Sequence, residues 1–222
     1  MADTCYMCNR PSVSREHVPP LCFFPELIDT QQNIDFRKNL ITVPSCDKHN
    51  TEKSNDDVYV FALICMHCEN NDVATSHALT KVKRAFKKDK GLARKIAASS
   101  IPICYNNQKT FACKIDLPKY YNATGCMVRA LYYHHYHEKL LYQLHVHSPG
   151  IRDASLNKRK DIREFVTMID PIFARCSEQG ENKEVFKYKL YRDDQKMMAI
   201  KMTFYEGCDI VALSADRLIN GI

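Results

Sequence analysis

Cys5-Tyr6-Met7-Cys8 and Cys46-Asp47-Lys48-His49-Asn50 frame the segment Ser14-Arg15-Glu16-His17-Val18-Pro19-Pro20 and the run Asn39-Leu40-Ile41-Thr42-Val43-Pro44. Two residues between ligands is the spacing at which one backbone turn aims two side chains at one metal ion. Zinc prefers soft thiolates and imidazole in a tetrahedron, and Cys5, Cys8, Cys46 and His49 supply such a closed set. A segment of roughly fifty residues cannot bury a large core, so bound Zn2+ would supply much of its folding free energy. The expectation is a small structural-zinc module carrying Glu16 and His17 on its frame.

Outward from that module, the chain reads as an ordinary folded protein. It has 222 residues, 45% of them hydrophobic and 26% charged, which excludes a disordered or fibrous class. No stretch reaches the roughly 20 apolar residues of a membrane span, and the longest apolar run, Val58 to Cys65, reads as a buried helix face. No basic region followed by an apolar run marks a secretory signal. Eleven cysteines, with two knuckle spacings among them and no such signal, suggest thiols that are free or on zinc in a reducing, cytoplasmic setting. The net charge of +6 is uneven: between Lys81 and Lys95 stand eight basic residues and one acid, Asp89. Such a stripe is either a solvated helix face or the footprint of a polyphosphate partner.

The predicted architecture is α+β in three parts: a zinc module over 1–70, a basic helical connector over 71–100, and an α+β domain with an antiparallel sheet over 101–222. Ser54-Asn55-Asp56-Asp57 reads as a helix start, with acids where the helix dipole favours them, and the helix runs to about Cys68. A second helix is expected from about Val73 to Ser99, broken near Gly91. Residues 103–122 read as short strands and turns, Gly125 to Leu140 as a helix, and Tyr142 to His147 as a strand. Lys158 to Cys176 has helical periodicity. Val185–Arg192, Met197–Glu206 and Asp209–Ser214 close the chain as an antiparallel meander.

Glu16-His17 carries the chemistry. Phosphodiester cleavage needs an activated water and a cation to neutralise charge on the phosphate and the departing oxygen. A neutral imidazole is a suitable base near pH 7, and a neighbouring carboxylate holds a hard cation through oxygen. Taken with the knuckles, the pattern Cys-x2-Cys, Glu-His-Val-Pro-Pro, then Asn-Leu-Ile-Thr-Val-Pro-Ser-Cys-x2-His-Asn resembles the zinc-stapled branch of the HNH endonucleases. The resemblance covers about residues 5 to 60 and implies a ββα-metal module in which a β-hairpin packs on a helix around one divalent cation. It implies His17 as general base, Glu16 and Asn50 as ligands of Mg2+ or Mn2+, Asn39 as the amide that orients the base, and Cys5, Cys8, Cys46 and His49 as the structural zinc set. Three features depart from the family pattern: Glu16 stands where Asp is usual, His49 where Cys is more frequent, and the Asn39–Asn50 spacing is longer. Asp56 and Asp57 are alternative metal ligands, with the helix start the preferred reading.

The resemblance further implies DNA as partner, with RNA as an alternative substrate, and a dimer or two nicks for a double-strand break. By analogy alone it places the chain in bacterial or phage defence or in mobile-element biology. Lys81, Arg84, Lys87, Lys88, Arg94 and Lys95 would grip flanking phosphates. Two rival readings are a non-catalytic zinc-dependent nucleic-acid-binding protein and a module whose basic helix meets an acidic protein. Elsewhere the bland readings are preferred: Cys65 and Cys68 as core thiols, His134, His135, His137, His145 and His147 as a packed helix–sheet interface, and Phe186, Tyr188, Tyr191, Phe204 and Tyr205 as sheet core.

Overall fold

The computed structural model describes residues 3–30, 33–105, 107–149 and 169–218. Strand β1 (Ser14–Val18) pairs antiparallel with β2 (Ile41–Ser45), setting Glu16 opposite Val43 and His17 opposite Thr42. Residues opposite one another share a face. Arg15, His17, Thr42 and Pro44 therefore lie on one side of the hairpin, and Ser14, Glu16, Val18, Val43 and Ser45 on the other. Glu16, Val18, Val43 and Ser45 are buried, so the second side is the inner one.

Cys46 caps the short helix α1 (Asp47–Asn50), and α2 (Ser54–Cys65) follows. The expected helix is present and ends at Cys65, before Cys68. Its cap residue is Lys53, with no capping side chain. Next come α3 (Asp72–His77), a π turn (Ala78–Val82) and α4 (Lys83–Lys88), then α5 (Lys90–Ser99). The predicted break falls at Asp89, not Gly91. Asp89 leaves the helical region and its carboxylate accepts the Leu92 N–H, so one residue ends α4 and caps α5.

β3 (Ile101–Tyr105) and β4 (Gln108–Ala112) form a separate hairpin. Helix α6 spans Leu117–Tyr136, beginning eight residues before the predicted Gly125 and ending four before Leu140. Asp116 caps it through the Lys119 N–H and Pro118 sits in its first turn, start signals that outweigh the strand-like tyrosines behind them. Its far end closes at His137 in the left-handed region (φ 53°).

A four-stranded antiparallel sheet completes the fold in the order β5-β8-β7-β6, from β5 (Tyr142–His147), β6 (Phe186–Arg192), β7 (Met198–Phe204) and β8 (Cys208–Leu218). The predicted meander is present, and β5 joins it beside β8. The predicted helix over Lys158–Cys176 lies mostly outside the described residues. Its described part is helical at 169–174, where Ile169 and Phe173 pack on Ala199 and Val211 of the sheet. The opposite sheet face, with Ile200, Met202, Phe204, Ile210 and Ala212, belongs to a core that also holds Cys5, Phe23, Val43, Phe61, Met127 and Leu131. The architecture is thus mixed α+β. Among the described residues no helix is long and apolar enough to cross a membrane.

That core draws side chains from all three expected parts of the chain. Phe23 of the zinc module packs 5.2 Å from Phe204 of β7, and the Tyr205 hydroxyl donates to the Phe23 carbonyl at 2.6 Å. Lys139, beyond α6, donates to the Cys8 carbonyl at 2.8 Å.

Candidate functional site

The four knuckle side chains converge. Cys5, Cys8, Cys46 and His49 bring their ligand atoms within 4.8 Å of one another. Zn–S bonds of about 2.3 Å and a Zn–N bond of about 2.1 Å demand tetrahedral edges near ~3.8 Å between sulfurs and ~3.6 Å from sulfur to nitrogen. Cys8 Sγ and Cys46 Sγ are 3.8 Å apart, while His49 Nδ1 lies 3.4 Å from both Cys5 Sγ and Cys46 Sγ. The Met7 N–H donates to Cys5 Sγ, a bond that favours thiolate. At Cys46 burial pushes the thiol up, but the His49 backbone N–H and the neighbouring thiols outweigh it, leaving the pKa below the ordinary value. Burial lowers His49, which keeps the imidazole neutral as a ligand must be. The donor set and its edges fit a metal such as zinc.

Glu16 points to the inner side of the hairpin, and a cation already sits there. Lys53 Nζ lies 2.5 Å from Glu16 Oε1 and 2.6 Å from Asp57 Oδ2, and the three side chains are 4%, 4% and 8% exposed. Burial works against the Lys53 ammonium, yet Glu16 and Asp57 outweigh it and hold its pKa above the usual lysine value. Ser45 Oγ lies 3.4 Å from Glu16 Oε2. Tyr6 is fully buried alongside, its phenol pushed up by burial and then by Cys126 and Glu16. Helix α6 packs over this side of the hairpin and against α2.

His17 faces the other way. Its ring is half-buried, and burial followed by the Arg37 guanidinium pulls its pKa below the ordinary histidine value. Arg15, on the same face, donates to Thr42 Oγ1 at 2.9 Å and to the Thr42 carbonyl. Asn50 lies on the inner side with Glu16 but is separated from it by two serines: its amide donates to Ser14 Oγ at 2.8 Å. Asn39 takes a left-handed conformation (φ 54°) ahead of β2. Among the described residues no hydrogen bond joins it to His17. Of the predicted set, then, the zinc ligands meet one another. Glu16 and Asn50 share a side without touching, and His17 stands opposite them.

The basic stripe divides in two. Lys81 donates to Glu26 at 2.9 Å, and Arg84 makes a bidentate pair with the buried Asp29 at 2.8 and 2.6 Å. Those two side chains tie α3–α4 to the turn at Leu27–Asp29. Lys87, Lys88, Arg94 and Lys95 are exposed.

Cys65 behaves as a core thiol, donating to the Ala74 carbonyl and pushed up to about 12 by burial. No second metal-type cluster occurs among the described residues. Phe186, Tyr188, Phe204 and Tyr205 are buried in the sheet core, while Tyr191 is 40% exposed. The histidines depart in part from the expected packed interface: α6 ends at Tyr136, and His134, His137 and His145 are exposed, although Tyr133 and Tyr136 of the same turn pack on the core. His135 reaches the sheet, at 2.8 Å from Tyr188 Oη, and His147 of β5 is half-buried, its Nε2 without a hydrogen-bond partner among the described residues. His134 and His137 instead line a cleft of about 820 Å³ with Arg15, Asn39, Thr42 and Glu181.

Sequence reasoning missed Lys53, and it read Asp57 as a helix start or an alternative metal ligand, not as the partner of that lysine. Their i, i+4 spacing at a helix start was the available signal. Compared with protein-family models, with curated proteins and with solved structures, the chain finds no match in any of the three.

Proposed function

We propose that the chain hydrolyses phosphodiester bonds in nucleic acid, DNA first, through its zinc-stapled hairpin–helix module, with His17 as the general base. One observation carries the reading. His17 stands on the outer face of a hairpin rooted in a Cys3His site, with a ring kept neutral by burial and Arg37. A neutral imidazole takes a proton from water near pH 7. Arg15 on the same face offers a guanidinium, the group best shaped for phosphate. Lys87, Lys88, Arg94 and Lys95 would hold flanking phosphates, giving affinity without sequence choice and a steep salt dependence. This is the activity that the resemblance to zinc-stapled HNH endonucleases implies.

The resemblance also asks for one divalent cation, Mg2+ or Mn2+, at Glu16 and Asn50. As placed, those residues do not fit it. Glu16 is committed to Lys53, and Asn50, whose oxygen stays free among the described residues while its N–H donates to Ser14, cannot supply the cation's charged ligand alone. Proton transfer at His17 is the step the residues support as they stand. The same ion pair favours a second reading, a zinc-dependent nucleic-acid-binding protein in which Glu16 and His17 are structural.

Supercoiled plasmid, incubated with the zinc-loaded chain in Mg2+, Mn2+ or metal-free buffer, separates the two. The first reading expects nicked or linear DNA from wild type and at least ~100-fold less from His17→Ala, with binding unchanged. Binding without cleavage in every buffer would replace it with the second. Absence of binding at moderate salt would sink both, and single-stranded RNA run in parallel tests the other substrate.

A further inference from the structure

We propose that Lys53 is the built-in cation of the buried carboxylate pair: its ammonium holds the position a divalent ion would take between Glu16 and Asp57, and the pair becomes a divalent-cation site only in its absence. Hard cations sit about 2.0–2.6 Å from carboxylate oxygens. Lys53 Nζ lies 2.5 Å from one such oxygen and 2.6 Å from the other. The nitrogen therefore stands at a cation position.

The surroundings hold more oxygen than one ammonium uses. Asp57 Oδ1 is buried without a hydrogen-bond partner among the described residues, and the Tyr6 phenol and Ser45 Oγ lie beside Glu16. An ammonium has three N–H donors and no further coordination, whereas a hard cation gathers six or more oxygens. The charges agree. Two carboxylates and one ammonium leave a net −1, which a divalent ion in place of the lysine would cancel. Because α2 starts at Ser54, its cap residue Lys53 and its Asp57 are one turn apart, so the backbone itself carries the ammonium into the pair. The tethered cation is present whatever the ionic conditions, and Glu16 cannot serve two cations at once.

The inference does not rest on the hydrolysis proposed above. It is tested by Mn2+ binding, followed by electron paramagnetic resonance, on the zinc-loaded full chain and three variants: Glu16→Gln, Lys53→Ala, and the two combined. Wild type and Glu16→Gln should bind Mn2+ alike and weakly. Lys53→Ala should gain one site at least about tenfold tighter, because affinity follows the number of free charged ligands, and the double variant should lose it. Zinc content shows that each protein has kept its fold.

Mn2+ binding that depends on Glu16 in the wild type would overturn the inference, while strengthening metal-dependent hydrolysis. So would a zinc-replete Lys53→Ala protein with no gain. Should Lys53→Ala fail to fold, the comparison of wild type with Glu16→Gln decides alone: equal binding sustains the inference and unequal binding ends it.

Discussion

His77 is fully buried between the zinc module and the sheet. Its Nδ1 lies 3.0 Å from Tyr205 Oη, whose proton goes to the Phe23 carbonyl, and its ring is 4.8 Å from that of Phe61. With the tyrosine proton spent on Phe23, His77 must donate from Nδ1. Burial, with Lys81 adding, drives its pKa to about 3. Between pH 6.5 and 3 the unfolded chain therefore takes up a proton here that the folded chain refuses. Stability drops as pH falls through that window, by about 1.4 kcal/mol per pH unit. Urea unfolding of wild type and His77→Asn at pH 7 and pH 5.5 isolates the effect, since acid loss of zinc is common to both. The stability gap should narrow by about 1 kcal/mol at the lower pH; a constant gap would mean His77 is not held neutral. Nothing in the sequence marks His77, because its hydrogen-bond partner, Tyr205, is 128 positions away. Lys53 is hidden for a similar reason, since Glu16 reaches it only once the hairpin is folded. The zinc ligands were legible, because within each knuckle the geometry is local.

The elements were legible where periodicity is strong, as in α2 and the final strands, whereas the hairpin of β1 and β2 followed only from the resemblance. They were misjudged where a cap outweighs composition, as at Asp89 and Asp116. The basic stripe from the π turn through α5 shows what composition leaves open. Charge alone cannot say which lysines are free, because that depends on carboxylates some fifty residues earlier in the chain. Lys81 draws Glu26, and Arg84 draws Asp29, below the usual carboxylate range. Arg84→Ala should therefore cost about 1–2 kcal/mol of stability by leaving the buried Asp29 without its bidentate partner. It should leave the salt dependence of nucleic-acid binding unchanged. Lys87→Ala, Lys88→Ala, Arg94→Ala or Lys95→Ala should do the reverse, with little effect on stability and a salt slope reduced by nearly one unit each. Paired measurements of urea midpoint and DNA affinity across a salt series check both halves. A binding loss in Arg84→Ala as large as in Lys87→Ala would mean that the ion pair opens to phosphate.

At the scale of the whole molecule, the N-terminal module and the sheet share one hydrophobic core, and one place where their backbones meet is Gly207 in the β7–β8 turn. A Cβ there would lie 2.1 Å from the Glu69 carbonyl oxygen and 2.3 Å from its carbon, far inside contact distance. Only glycine lets the turn close against the backbone leaving α2. Nearby, the Asn71 N–H donates to the Tyr205 carbonyl at 3.0 Å, and the Asn71 amide donates to the Glu184 carbonyl and to Glu206. Sequence reading had no access to this fit, because a glycine in a tight turn looks the same whether its back is free or covered. Gly207→Ala must push the turn away from Glu69, at a cost of about 1–3 kcal/mol. Because the core is continuous, the loss should appear at both ends of the chain. Far-UV circular dichroism of the sheet and chelator-driven zinc release from Cys5, Cys8, Cys46 and His49 should shift together to lower denaturant. A variant that loses its sheet signal early and holds zinc as firmly as wild type would show that the module stands alone, with the shared core adding nothing to it. Joint loss would mean that whatever approaches His17 meets a hairpin braced from behind by α6 and the sheet. The second half of the chain would then be part of the site's scaffold, and no separate passenger.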